Sequence, residues 1–178
     1  TDVNRHVAAA ARHFLGHPLT QQLPRKFKIS FSGCGDDCAQ GLINDLALIA
    51  TLRDGHGGFR LYGFGGLGTK PYAAVEIDPF VAEADVLPAI EAVLSLHHRY
   101  SERGNRMRAR VKFLRDRFAL EQLRAMYREE LQRCKAQSYP PLQGEWREGG
   151  GAAPCRQGVV RGVVELHTPG FHAVPVSV

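Results

Sequence analysis

Residues 46–64 commit this chain to a β-sheet. The run LALIATL over residues 46–52 is short, apolar and unbroken, as in a strand buried inside a domain. Asp54-Gly55 and Gly57-Gly58 follow it and signal a hairpin, because a tight reversal needs residues that tolerate positive φ. Residues 59–64 then supply the return strand, and residues 72–77 read as a further strand ending at Asp78-Pro79.

Upstream, residues 23–31 (LPRKFKISF) also read as a strand, with Lys26, Lys28 and Ser30 on one face and Phe27, Ile29 and Phe31 on the other. Burying the aromatic face leaves two ammonium groups about 6.6 Å apart, two residues of about 3.3 Å rise each. That is an anion trap, and equally the pattern of an edge strand whose lysines oppose aggregation. Gly33 and Gly35 allow a tight turn, and Asp36 and Asp37 stand where a short helix would begin, favoured by its dipole.

Helical spacing appears elsewhere. Residues 3–14 place Val7, Ala11 and Phe14 on one face, with Asp2 as an N-cap. His13 and His17 stand four apart, as helical metal ligands do, but Gly16 and Pro18 end the helix between them, which favours solvated side chains. Residues 85–97 align Val86, Ile90, Val93, Leu94 and His97, after which Gly104 breaks the pattern and Asn105 is placed to cap the next helix. Residues 118–133 set Leu120, Leu123, Met126, Tyr127 and Leu131 at core spacing, with Glu129 and Glu130 outside; plain packing accounts for this face. Prolines and glycines over residues 136–158 read as a linker, and residues 159–166 as a strand.

Charge is concentrated in one place. Residues 99–117 hold eight Arg and Lys against two acids, a net +6, whereas the whole chain carries +5. On a helical wheel Met107, Val111, Leu114 and Phe118 form an apolar face, flanked by one basic row of Arg103, Arg106 and Arg110 and another of Arg108, Lys112 and Arg115. Guanidinium forks suit carboxylates and phosphates, so the segment is poised to hold a polyanion. A solvated charged helix and a nucleic-acid-binding helix share this pattern, although no aromatic interleaves the arginines over residues 103–110.

The segment Gly63-Phe64-Gly65-Gly66-Leu67-Gly68 matches G-x-G-x-x-G. A dinucleotide site needs a helix to open at the last glycine, and Thr69-Lys70-Pro71 leads into a strand instead. Four glycines in six residues still require a sharp turn or a close approach.

At 178 residues, 44% hydrophobic and 23% charged, the chain has the composition of a soluble globular domain, with room for one appendage. It has no apolar run of the ~18 residues a membrane span needs, and no signal-peptide pattern, so a cytoplasmic location is the expectation. Cys34, Cys38, Cys134 and Cys155 have no disulfide-framework spacing. The chain starts at Thr1 without methionine and stops after an apolar run, which suggests an excised piece.

LPRKFK, followed by SGC, then ND, then FGGLGTKPY and GNRMRARVKFL, resembles in content and order the first half of the siroheme and iron-sulfur nitrite/sulfite reductases, over roughly residues 18–133. The resemblance implies an α+β domain, a mixed sheet with helices packed on it in the order β-α-β-β-β-α-α. It assigns residues 1–135 to the siroheme-facing half, residues 136–158 to a linker, and residues 159–178, with TPGFHAVPV, to the start of a second half. The activity implied is six-electron reduction of nitrite to ammonia or sulfite to sulfide, by the whole protein and not by this piece alone. Matching positions give Lys26 and Lys28 to substrate binding and proton donation, and Arg25, on the opposite strand face, to the cofactor or the fold. They give Gly65, Gly66, Leu67 and Gly68, with Thr69 and Lys70 beside them, to packing on siroheme, and Arg106, Arg108, Arg110 and Lys112 to its carboxylates.

The family's 4Fe-4S cluster takes a C-x5-C and a C-x3-C pair from the second half. Cys34 and Cys38 have the C-x3-C spacing but no C-x5-C accompanies them here, so two ordinary buried thiols are the preferred reading. The implied partners are the remainder of the polypeptide, nitrite or sulfite, and an electron donor, with no membrane and no nucleic acid. The alternative is a nucleic-acid or polyanion module built on residues 103–115.

Overall fold

The computed structural model describes residues 1–142, 146, 164–165 and 172–173. The chain divides into two units, Thr1–Glu148 and Gly149–Val178. In the second, strands Val164–Glu165 and His172–Ala173 pair antiparallel. Apart from residues 136–142, 146 and 164–165, the linker and the strand expected over residues 136–166 lie outside the described residues.

The first unit is an α+β domain. Its elements, in order, are α1 (Asn4–Phe14), α2 (Pro18–Gln21), β1 (Ile29–Ser32), β2 (Leu46–Arg53), β3 (His56–Gly63), β4 (Val75–Ala82), α3 (Val86–Tyr100) and α4 (Leu120–Lys135). The strands form one mixed sheet in the order β1-β2-β3-β4, with β1 parallel to β2 and the other neighbours antiparallel. The hairpin turns on two residues, Asp54 and Gly55, at φ +52° and +76°, the left-handed pair that matches strand twist. Gly57 and Gly58 lie inside β3; a Cβ on Gly57 would sit 2.0 Å from the Trp146 ring.

Three strand and turn expectations shift. β1 begins at Ile29, so residues 25–28 lead into the sheet without the alternation that would separate Arg25 from the lysines. β4 runs on through Pro79, because it is an edge strand and two register shifts against β3 flank Leu61; an edge or bulge tolerates the missing N–H. The helix expected at Asp36 is instead the 3-10 turn Gly41–Ile43. Asp37 caps it, its two oxygens accepting from the amides of Gly41 (2.8 Å) and Leu42 (3.2 Å).

One core joins Leu46, Leu48, Phe59, Leu61, Ile77 and Val81 of the sheet to Leu87, Ile90, Val93 and Leu94 of α3. Every residue of α3 from Val86 to His97 is buried, as befits a helix covered on all sides. α4 contributes Leu123, Tyr127 and Leu131, and Glu130 faces inward too, where the Arg99 guanidinium grips it at 2.8 and 3.0 Å. α1 buries His6, Ala10 and Phe14 rather than Val7 and Ala11. The stripe is rotated because His6, held by Glu83 at 2.7 Å, is the residue turned inward. Residues 99–117 do not continue as an α-helix after Tyr100: two 3-10 turns, Arg106–Arg108 and Val111–Asp116, replace the expected wheel. Met107 is therefore 70% exposed while Val111 and Leu114 are buried.

Candidate functional site

The glycine segment makes a reversal closed by paired bonds between Gly66 and Tyr72, N to O in both directions at 2.8 and 2.9 Å. Gly65 is pressed against the chain: a Cβ there would lie 2.5 Å from the Asn44 carbonyl. Gly66 sits at φ +145°, and the Arg110 guanidinium lies 2.7 Å from where its Cβ would be.

Two basic side chains hold this turn. Lys112, 2% exposed, donates to the carbonyls of Leu67 (2.8 Å), Lys70 (2.7 Å) and Gly66 (3.4 Å). Burial, and then Arg110 nearby, push its ammonium below the usual lysine range. Arg110 reaches the Leu67 carbonyl at 3.3 Å and forks onto Asp45, Nη2 lying 2.7 and 2.8 Å from the two carboxylate oxygens. Asp45 is fully buried and also accepts from the Lys28 amide at 2.9 Å, which ties the lysine segment to the same anchor. Burial pushes the Asp45 carboxyl up, against the pull of Arg110.

The other end of the lysine segment is fixed by His97, whose Nε2 donates to the Arg25 carbonyl at 3.1 Å while Nδ1 pairs with the Ser101 hydroxyl at 2.7 Å. Desolvation lowers this imidazole to about 4, which keeps it neutral at pH 7. Glu102 collects the amides of Arg103, Gly104 and Asn105, and these bonds hold its carboxyl below the usual range. Asn105 caps the following turn through the Met107 amide, as its position suggests.

A cleft of about 390 Å³ opens between these parts, lined by Arg25, Lys26, Lys28, Leu67, Gly68, Thr69, Arg106, Met107, Arg110, Lys112 and Phe113. Six of these residues are cationic and none is acidic. The side chains of Arg25, Lys26, Lys28 and Arg106 make no hydrogen bond or ion pair with any described residue. Their charge is thus available to a ligand, and fields of one sign in a walled cleft are focused there. The lysine segment, the glycine turn and the arginine segment therefore meet in one place.

The expected residues divide by role. Arg25 lies with the lysines, not across from them. Gly65 and Gly66 are buried beneath the cleft and do not line it. Arg108 turns to Asp116 at 2.9 Å, where Lys70 (2.8 Å) and the Tyr72 hydroxyl also converge, and it lines a neighbouring hollow of about 280 Å³. Of the four positions expected to bind carboxylates, Arg106 alone is without a protein partner among the described residues. Cys34 and Cys38 are not buried thiols: Cys34 is half-buried, with Sγ 3.9 Å from Asp36, and Cys38 is exposed.

Asp45 and His97 were not identified as site residues from sequence. Asp45 stands in the ND pair as a marker of resemblance, and His97 among apolar positions of a helix. The available signals are a lone acid directly before a buried strand in a chain with an arginine-rich segment, and a histidine on an otherwise apolar face. Among the described residues no helix is long and apolar enough to cross a membrane.

Comparison with known proteins gives the family of the domain. The family model of the nitrite and sulphite reductase 4Fe-4S domain matches residues 1–135. The chain is 31% identical over 160 residues to the chloroplastic ferredoxin–nitrite reductase of Zea mays, covering 86% of the chain and 28% of that protein. It is 34% identical over 125 residues to sulfite reductase (ferredoxin) 2 of Mycolicibacterium paratuberculosis, covering 70% of the chain and 22% of that protein. The solved structure of the Mycobacterium tuberculosis NirA protein superposes with a TM-score of 0.65 at 30% identity, over 94% of this chain and 29% of that one. The chain thus spans less than a third of each of these relatives. On the match across residues 1–135, it belongs to the nitrite and sulphite reductase 4Fe-4S domain family.

Proposed function

We propose that this domain supplies the cationic wall of a siroheme and substrate pocket in a nitrite or sulfite reductase. The observation that carries the reading is the convergence of the side chains of Arg25, Lys26, Lys28 and Arg106, none hydrogen-bonded or ion-paired to a described residue, on a cleft bordered by Leu67 and Gly68. The side chains suit a flat, carboxylate-rich macrocycle: cations at the rim for its carboxylates, and Leu67 and Met107, 54% and 70% exposed, for its apolar face. Siroheme, when bound, supplies the iron centre and conjugated ring needed for multi-electron reduction.

This chain's part is electrostatic and positional. Lys26 and Lys28 attract the oxyanion and stand as proton donors to its departing oxygens. His97 and Asp45 hold the backbone that carries those lysines, one at the Arg25 carbonyl and the other at the Lys28 amide. Arg110 and Lys112 act indirectly, by fixing the glycine turn. Cys34 and Cys38 offer the spacing of one ligand pair only and Cys134 is buried in the core, so no cluster ligand is assigned to these three thiols. The ferredoxin named in the maize and mycobacterial relatives is proposed as the electron donor of the whole protein.

Titration of the purified chain with siroheme, followed by absorption, tests this. A saturable spectral shift is expected, weakened at least tenfold in the Lys26→Ala, Lys28→Ala, Arg106→Ala triple variant, about 1.4 kcal/mol. No shift, or one equal in the triple variant, rules the reading out.

A further inference from the structure

Outside the basic cleft, three side chains from three elements converge. His13 lies in the last turn of α1, His17 precedes α2, Glu91 lies on α3, and one ligand-capable atom from each falls within 4.8 Å of the others. Their present bonding is incomplete. Among the described residues His13 Nε2 is buried without a hydrogen-bond partner, and Glu91 Oε2, 3.8 Å away, is beyond hydrogen-bond reach. A buried ring nitrogen left unpaired costs free energy that a suitable ligand would recover. The Glu91 carboxylate is itself buried, and the Tyr139 hydroxyl donates to it at 3.0 Å. Among the described residues the His17 ring makes one hydrogen bond, a long one, Nδ1 accepting from the Leu19 amide at 3.3 Å.

We propose that His13, His17 and Glu91 form a binding site for a divalent transition-metal ion of the zinc type. Two imidazoles and one carboxylate are a complete three-residue ligand set, with the fourth tetrahedral position left for water. Ligand bonds of about 2.0–2.2 Å bring donor atoms to about 3.4 Å from one another, so the 4.8 Å spread closes by side-chain rotation. A neutral imidazole has one lone pair, so His17 exchanges its Leu19 bond for the metal, and His13 Nε2 gains the partner it lacks. Tyr139 remains as the outer donor that orients the ligating carboxylate. Imidazole ligation selects zinc, copper or nickel over magnesium and calcium. The ion ties the last turn of α1 to the residue before α2 and to α3, and keeps one exchangeable water position; none of its three ligands lines the proposed siroheme pocket.

The test uses the whole 178-residue chain, stripped of metal, titrated with Zn2+ by calorimetry and with Co2+ by visible absorption. Expected are one equivalent bound, a rise in melting temperature with Zn2+, and visible cobalt bands without the sulfur-to-cobalt charge transfer that thiolates give. Tyr139→Phe is expected to weaken binding about tenfold. His13→Ala, His17→Ala and Glu91→Gln are expected to weaken it further, and Cys34→Ser with Cys38→Ser to leave it unchanged. His17 is half-buried and carries one long bond, so His17→Ala keeps the fold and decides the matter if His13→Ala does not. Absence of binding, retention of full affinity in His17→Ala, or loss of binding in the cysteine variant overturns the proposal.

Discussion

Arg110 and Asp45, 65 positions apart in sequence, close a buried fork in which three guanidinium contacts of 2.7, 2.8 and 3.2 Å meet one carboxylate. The same carboxylate accepts the Lys28 amide, and the same guanidinium roofs Gly66. One ion pair therefore sets the spacing between the lysine segment and the glycine turn.

Removing one partner leaves a buried charge without compensation, which typically costs about 3–5 kcal/mol. Arg110→Met is expected to show such a loss in urea denaturation, because Asp45 is fully buried. Asp45→Asn combined with Arg110→Met is expected to recover most of it, since no charge then remains to be paired. A loss below about 1 kcal/mol for Arg110→Met is the range of an exposed pair and contradicts this role.

Burial of His97 is expected to give the domain a pH dependence whose sign follows from the desolvation of its ring. Its proton is bound less readily in the folded chain, at about 4, than in the unfolded chain, at 6.5, so the unfolded state takes up the proton first as pH falls. Its contribution is whole above pH 6.5 and is lost as pH drops towards 4, an effect of about 3 kcal/mol. Urea midpoints of wild type and His97→Gln between pH 7.5 and 4.5 measure it: the wild-type midpoint is expected to fall more steeply. Parallel curves assign the acid sensitivity to other groups.

The hairpin and the two long helices were legible because each rests on local periodicity that tertiary packing leaves undisturbed. Residues 46–52 became Leu46–Arg53, and residues 85–97 became Val86–Tyr100. The arginine segment was misread for a physical reason. Its spacing satisfies a helical wheel, but Lys112 must reach three carbonyls of the glycine turn and Arg110 must reach Asp45, contacts that no local pattern encodes. Tertiary hydrogen bonds thus fixed 3-10 turns where propensity allowed an α-helix. Likewise the lysine segment has strand-like alternation, yet its register with β2 begins at Ile29, only the Lys28 carbonyl ahead of it accepting the Leu46 amide, and Arg25 lines the same cleft as the lysines. Resemblance marked the three segments that border the cleft, whereas the bracing contacts of Asp45 and His97, and the split between bonded and unbonded cations, depend on tertiary contacts.

The glycine turn is expected to depend on Lys112 as much as on its glycines. Lys112→Met keeps the apolar stem but leaves the carbonyls of Leu67 and Lys70 without their donor, at about 1–3 kcal/mol. Gly66→Ala brings a Cβ to 2.7 Å from Arg110 at φ +145°, a strain of about 1–3 kcal/mol that also displaces the fork. Both variants are expected to speed amide hydrogen exchange at Gly66 and Tyr72, whose mutual bonds close the turn. Unchanged exchange there means that the turn is held by other contacts.

The cations that line the cleft without side-chain partners are expected to behave in the opposite way. Lys26 and Lys28 are exposed, Arg106 is exposed, and they share one cleft with Arg25 and no acidic neighbour in its lining. Exposed side chains without partners contribute within about 0.5 kcal/mol to stability, and here mutual repulsion makes removal neutral or favourable. The Lys26→Ala, Lys28→Ala, Arg106→Ala variant is therefore expected to melt at or above the wild-type temperature in chloride. A tricarboxylate such as citrate, at matched ionic strength, is expected to raise the melting temperature of the wild type and not of the variant, because only an anion bound by the folded cleft shifts the equilibrium. An equal rise in both proteins would assign the effect to general salt screening and remove the cleft from the account.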